Sequence, residues 1–472
     1  MKKSLISTLT LALMAFLPLC AQTSMPAGAD FMPPTVAPIE APFPMPQLQR
    51  PEFGTREVRV KLKTKMTCKQ TTAAIQKAIE KMNKAGGGTV TVPAGEWTVG
   101  RIILLSGVCL NVEKGAVLNF SGDLEDYLPA VFTRSAGVEG MGTGSCIYAY
   151  KQHHIGITGQ GRLVGPPKGT EIRKRQLGYG SFDRYVDYDA PPTERFYDGR
   201  DGKGVFSPTF IGPVECTDVL IEGLTLENSI FWNIVPTYCD SVIIRGMRVK
   251  STGTLMGDGM DIESSRNVLI EYNTLENGDD CYTFKAGRGI DGLKVGRPTE
   301  NIVLRYNLAL AGHGGIAVGS ETAGMIRNLY AHDCVFKHVR FGIRFKTRRP
   351  RGGGGEKLYY ERIQLDSCAN AITIDMLGSA SVVGNLATSE ALPINEFTPV
   401  FRDIHIKDVE ASAAGNFLSF TGLPERNATG IVLENVHGDA AHFGKVSGID
   451  GLSLIGCDIR CGDAAGAGEQ KP

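Results

Sequence analysis

The stretch Thr217–Asn228, TDVLIEGLTLEN, decides the fold because the chain writes it repeatedly. CDSVIIRGMRVK at 239–250, SRNVLIEYNTLE at 265–276, TENIVLRYNLAL at 299–310, IRNLYAHDCVFK at 326–337 and GEKLYYERIQLD at 355–366 share its template. Aligned on Val219, the anchors Val242, Val268, Ile302, Leu329 and Leu358 follow at steps of 23 to 34 residues. FRDIHIKDVEAS at 401–412 and ATGIVLENVHGD at 428–439 are later echoes. Each copy holds short alternating strands broken by Gly, Asn or Asp. A unit of this size cannot bury its own apolar face, so neighbouring copies must stack. Three short strands per unit, wound in one direction, give an all-β chain: a right-handed parallel β-helix. A propeller needs about 40 residues and four strands per blade, and these units are shorter. The stretch TTAAIQKAIEKMNKAGGG at 71–88 departs from the pattern, with apolar residues at helical spacing and a Gly-rich stop. It is expected to cap an open end of the solenoid, where strand edges would otherwise be bare.

Outward from the repeats, the chain divides into four parts. MKK followed by SLISTLTLALMAFLPLCAQ reads as a secretory signal over residues 1–21, too short and poorly flanked for a membrane span. The bulky Leu19 before Cys20 argues against lipoprotein anchoring, so a secreted or periplasmic product is expected. Residues 22–52 are Pro-rich without periodicity and read as a linker or an extended arm. The solenoid occupies 53–462, and 463–472 reads as a flexible tail. Lys plus Arg and Asp plus Glu balance at 50 each in 472 residues, which gives no net field toward nucleic acid or an anionic membrane. Nothing in the chain points to assembly, and a monomer is expected. Of eleven Cys, none forms a zinc-spaced cluster with His. Cys216 and Cys239 hold equal places in adjacent copies, about 4.8 Å apart in a parallel stack. That suits either a disulfide or a stack of thiols, and the stack is preferred.

The chemistry lies in a second set of strands. GDGMDIES (257–264), DDCYTFKA (279–286), HGGIAVGS (313–320) and RFGIRFKT (340–347) align in phase. Met260, Tyr282, Ile316 and Ile343 form one apolar column, and Ile262, Phe284, Val318 and Phe345 form another; both must point inward. The alternate positions Asp261, Glu263, Lys285, Arg344 and Lys346 then point outward, with Asp258, Asp279, Asp280 and His313 at the strand entries. Carboxylates 21 to 22 residues apart become neighbours on one face. A crowded acid group supplies one protonated carboxyl and one carboxylate, the pair glycoside hydrolysis needs. The basic groups Lys285, Arg344 and Lys346, one or two rungs along, are the expected binders of an anionic sugar. Singly, each residue has a plainer reading: Asp–Gly in a turn, Lys285 paired with a neighbouring acid, Glu263 on a solvated strand, and Arg348, Arg349 and Arg351 in a solvated basic loop. The shared phase favours the functional reading.

These motifs resemble the polygalacturonases of glycoside hydrolase family 28, marked by Asn-Thr-Asp, Asp-Asp, Gly-His-Gly and Arg-Ile-Lys. Here MGD ends at Asp258, DD is Asp279–Asp280, GHG surrounds His313 and RFK runs from Arg344 to Lys346. The surroundings AIQKAIEKMNKAGGGTVTVPAGEWTVG, VEKGAVLNFSGDLEDYLP, GSET and RGGGG are also similar, so the resemblance covers roughly residues 65 to 380. It implies that Asp279 is the general acid, that Asp258 and Asp280 hold and activate the water, that His313 tunes the acid or orients the sugar, and that Arg344 and Lys346 grip a galacturonate. It also implies inversion without a metal or cofactor, on a pectic polysaccharide or oligogalacturonide. Two departures bear on the sugar recognised: Met256–Gly257 replaces Asn-Thr, and Val235 stands where many exo-acting relatives carry His. The insertion at 167–204 is expected to wall one end of the groove and favour exo-cleavage. A rhamnogalacturonan-type substrate, a calcium-dependent β-helix pectate lyase and a non-catalytic carbohydrate-binding solenoid are the alternative readings.

Overall fold

The computed structural model describes residues 25–178, 185–200 and 204–462. The proposed signal at 1–21 and the tail at 463–472 lie outside the described residues, as does part of the 167–204 insertion.

Three parallel ladders run the length of the molecule. The first passes through His153–Gly159, Thr217–Glu222, Asp240–Arg245, Arg266–Glu271 and Thr299–Arg305. The second joins Arg162–Val164, Thr225–Glu227, Arg248–Ser251 and Thr274–Asn277. The third joins Met260–Glu263, Tyr282–Lys285, the end of Leu308–Val318, Val339–Lys346 and Asn370–Asp375. The chain visits each in turn, so every circuit adds one rung: this is the right-handed parallel β-helix. Val219, Val242, Val268, Ile302, Leu329 and Leu358 are direct partners in register, and all are fully buried.

The residue before each anchor bends the strand. Asp218, Asn267, Asn301 and Asn328 all adopt left-handed backbone, with φ of 54–57°. Asn and Asp reach this region more readily than branched residues, which explains their recurrence there. Their side chains also link the rungs: Asn328 Nδ2 donates to Asn301 Oδ1 at 2.9 Å, and Asn301 Nδ2 donates to Asn267 Oδ1 at 3.1 Å.

The helix Cys68–Lys84 covers the first coil. Thr67 and Gln70 close its N-terminus as a capping box, and Thr71, Ile75, Ile79 and Met82 form its buried face. Residues 25–53 lie across the outside of the first ladder. Ile39, Val36, Met45 and Leu48 pack on Leu220, Ile243, Leu269 and Val303. Arg245 donates to the carbonyl of Pro33 at 2.6 Å, and Arg305 donates to those of Ala37 and Pro38 at 2.8 Å. Glu271 lies between the two guanidiniums at 2.9 and 2.8 Å. No disulfide joins the described cysteines, and Cys216 and Cys239 are buried on adjacent rungs.

Two expectations are corrected by burial. Glu263, read as solvated, is fully buried, as are Asp261 and Thr283 on the same outer face. A hairpin of Val131–Ser135 and Val138–Gly142 folds over them. Its Arg134 donates to Ser264 Oγ at 2.8 Å and lies 3.5 Å from Glu263. Arg349 and Arg351, read as part of a solvated loop, are buried too. Arg349 forks onto Glu425 at 2.7 and 2.9 Å, and Arg351 faces Glu321 at 4.0 Å.

Candidate active site

The third ladder gathers the acids. Met260 pairs with Tyr282, Tyr282 with Ile316 and Ile316 with Ile343, so the inward columns stand as the sequence places them. At the strand entries Asp258, Asp279, Asp280 and His313 converge on one cleft of about 560 Å³. Lys285, Arg344 and Lys346 share it, together with Trp232, Met256, Arg288, Glu321 and Arg348. Glycines make the convergence possible. A Cβ at Gly278 would sit 2.0 Å from the Thr254 carbonyl oxygen, and one at Gly314 would sit 2.4 Å from Asp280 Oδ1. The acids stand beside glycines because the rungs approach too closely there for any side chain.

The three acids meet different surroundings. Asp280 has no exposed surface, yet both its oxygens are engaged: Oδ2 accepts from Lys346 Nζ, and Oδ1 lies 3.3 Å from His313 Nδ1. Burial alone pushes its carboxyl up, but Lys346, the His313 hydrogen bond and Arg344 hold it well below the usual carboxylate range. Asp279 keeps 30 % of its side chain exposed to the cleft. Burial, and then the Asp280 charge beside it, push its carboxyl up. Burial also raises Asp258, reinforced by Asp261 and Asp279 and opposed by Lys285. Neighbouring carboxyls are thus driven apart, one held ionised and one disposed to keep its proton.

A guanidinium nitrogen and a carboxylate oxygen compete for His313 Nδ1. Arg344 Nη1 lies 3.1 Å from Nδ1, the atom that also faces Asp280. A guanidinium only donates, so donation from Arg344 requires the neutral tautomer with its proton on Nε2. With the proton on Nδ1, the ring donates to Asp280 instead. Phe341 stands edge-on to the imidazole at 5.1 Å and under the Arg344 guanidinium at 4.2 Å, fixing both.

Lys285 is buried beneath the cleft. Its ammonium lies 3.5 Å from Asp258, 3.3 Å from Asp261 and 3.3 Å from Glu321, and 4.4 Å from the centre of the Trp232 ring. Burial pushes Asp261 up to about 8 and Glu263 up to about 7, with Lys285 or Arg134 opposing. Trp232, Arg288, Glu321 and the cleft position of Arg348 are what the sequence reading missed. Trp232 and Glu321 lie in SIFWNIVP and GSET; both motifs stand out in the sequence, but neither was given a role. Val235 is buried and lines no part of the cleft.

The described part of the 167–204 insertion contributes no residue to the cleft lining. It braces the elements that do. Arg195 pairs with Asp291 at 2.6 Å, and Asp291 accepts from the Glu139 amide at 2.8 Å. This ties the insertion to the covering hairpin and to the helix Gly289–Val295, whose first turn follows Arg288. Asp279, Asp280 and His313 place ligand atoms within 4.8 Å of one another, a grouping small enough for a cation. Lys346 already occupies one Asp280 oxygen, which disfavours that use. A second depression of about 360 Å³ lies between the arm and Tyr330, Tyr359 and His405. Tyr359 and His405 stack on each other there, and Glu40, Glu361 and Glu434 also line it.

Known proteins match this arrangement. A probable polygalacturonase of Vitis vinifera is 28% identical over 77% of this chain and 70% of its own length. An exo-poly-alpha-D-galacturonosidase of Dickeya chrysanthemi is 25% identical over 72% of this chain and 60% of its own. The crystal structure of a hyperthermoactive exopolygalacturonase from Thermotoga maritima superposes with a TM-score of 0.73 at 27% identity, covering 87% of this chain and 94% of that one. The family model described as glycosyl hydrolases family 28 matches residues 196–440, which include every acid, His313 and the Arg344–Lys346 pair, and the chain belongs to that family.

Proposed function

We propose that the protein is an exported, inverting hydrolase of galacturonic-acid linkages in pectin, acting from chain ends. The observation that carries this reading is the division of labour between two adjacent carboxyls: Asp280 held ionised by Lys346 and His313, Asp279 raised and open to the cleft. Asp279 donates its proton to the glycosidic oxygen as the bond from the anomeric carbon breaks. Asp280, with Asp258 positioning the water, takes the water's proton as its oxygen bonds to that carbon. The nearest oxygens of Asp279 and Asp280 lie within 4.8 Å, closer than the about 6.5–9.5 Å usual between the carboxyls of inverting enzymes. Inversion is what the family resemblance implies, and the full burial of Asp280 supports it by keeping that carboxylate from attacking the sugar directly. Arg344 and Lys346 grip the uronate at the cleavage point, and Lys285 holds Asp258 in place. Names of the similar proteins support a polygalacturonan substrate, and two of the three reported are exo-acting.

End-on action is supported by the cleft's shape. Its volume of about 560 Å³ falls within the range usual for a ligand site. Arg288, which precedes the helix braced by the insertion, lines the cleft together with Ser381 and Val382. The test is digestion of polygalacturonate with product analysis and anomer detection by NMR. Single galacturonates of inverted configuration, released before viscosity falls, are expected. Ultraviolet absorbance from an unsaturated uronide, lost on adding a chelator, would instead establish the calcium-dependent lyase. Carbohydrate binding unaffected by Asp279→Asn, without any turnover, would establish the binding solenoid.

A further inference from the structure

The motif RRPRGGGG at 348–355 places three arginines within four residues, and the structure gives them three different surroundings. Arg349 is consumed by Glu425 and by the carbonyls of Leu386, Thr388 and Glu390. Arg351 is buried beside Glu321. Arg348 lines the catalytic cleft, next to Ser381 and Val382.

The cleft's other cations already have work. Lys285 faces three carboxylates, Lys346 pairs with Asp280, and Arg344 reaches His313 over the Phe341 ring. Arg348 has no ion pair or hydrogen bond among the described residues, and its Nε is buried without a partner. Asp375, opposite Lys346 on the next rung, accepts from the Gly378 amide with its Oδ1 at 2.9 Å. Arg348 is held by packing instead: a Cβ at Gly378 would lie 2.2 Å from its Nη1, so the turn after Asp375 needs a glycine to admit the guanidinium. Burial lowers the Arg344 guanidinium from its ordinary value. Asp280 and Asp375 oppose that, and the Arg348 charge lowers it further. Two guanidiniums therefore share one wall of the cleft, an arrangement that repels itself when empty and is relieved by anions.

We propose that Arg348 is a specificity-determining residue that binds the carboxylate of a second uronate, the neighbour of the one gripped by Arg344 and Lys346, on the side of the 375–382 wall. This rests on the pectin reading and sharpens it: the preferred substrate carries uronates on consecutive sugars, as a homogalacturonan does and as a backbone alternating with rhamnose does not. Arg suits this task because its fork donates to both oxygens of a carboxylate in one plane.

The experiment compares a galacturonate trimer with the same trimer methyl-esterified on the sugar next to the cleaved linkage. Arg348→Met raises KM for the charged trimer about tenfold, the size of one charge-assisted hydrogen bond, while kcat stays within about twofold. On the esterified trimer, wild type and R348M share one KM. Arg348→Lys, which keeps the charge without the fork, gives a smaller rise and stands in for R348M should the latter fail to fold. An unchanged KM on the charged trimer overturns the proposal, and so does an equal rise on both trimers. If wild type cleaves neither trimer, the pectin reading fails on its own. Calorimetric binding of the two trimers to wild type and R348M then still decides the role of Arg348.

Discussion

Asp280 shows how much one side chain depends on its neighbours. Lys346 is the strongest of the charges holding it ionised, so Lys346→Met releases it upward. Activity needs Asp280 deprotonated and is lost as pH falls through its depressed pKa. The acid limb of kcat/KM therefore moves to higher pH in K346M, and a pH–rate profile checks it. An unmoved limb would separate Lys346 from the base. Gly314→Ala attacks the same carboxylate sterically, since the new methyl must displace Asp280 Oδ1. A fall in kcat of about 10²-fold or more, with the far-ultraviolet circular dichroism unchanged, is expected. The buried acids beneath the cleft carry a stability signature. Asp261 and Glu263 are raised to about 8 and about 7 in the folded chain. The folded state then binds more protons than the unfolded one between pH about 4 and those values. Stability accordingly falls as pH rises through that window, and Asp261→Asn flattens the upper part of the decline. Melting temperatures from pH 5 to 9 read this directly.

At the scale of elements, the arm and the covering hairpin matter as much as the strands. Arg245, Glu271 and Arg305 are buried together under residues 33–38. Glu271→Leu leaves two buried guanidiniums without their shared acid. A loss of about 3–5 kcal/mol is expected, seen as a lower first melting transition while folded molecules keep their kcat. Solenoids melt in parts, so the transition that moves should be the one that frees the arm. These elements also mark where sequence reading reaches its limit. The inward columns from Met260 to Ile343 were legible because strand alternation and coil repeat are both local periodicities, and so was the convergence of Asp258, Asp279, Asp280 and His313 on one face. The burial of Glu263 was not. It depends on Arg134, 129 residues earlier in a hairpin outside the repeat. Likewise Arg349 reads as a loop residue until the fold brings Glu425 and the carbonyls of Leu386, Thr388 and Glu390 to it. Outward-facing positions are fixed by whatever folds over them, and no period in the chain encodes that.

At the scale of the whole molecule, opposite charges cancel at 50 each, so no long-range field draws a polyanion in. Attraction must come from the cleft itself, which Arg288, Arg344, Lys346 and Arg348 line. A local cluster of this kind acts over short distances, and salt weakens it as the screening length shrinks. That length falls from ~30 Å at about 10 mM salt to ~8 Å at about 150 mM. Across this range KM for polygalacturonate is expected to rise several-fold. The kcat should hardly move, because the Lys346–Asp280 contact and the Asp279 proton lie inside the bound complex, where salt screens little. A carboxyl-reduced oligomer offers no charge to the same wall and supplies the control. If its KM rises as steeply as that of the charged polymer, the salt acts on the fold rather than on the cleft. If neither rises, the guanidiniums on the wall take no part in holding the substrate, and its recognition must come from the uncharged groups, Trp232 and Met256 among them.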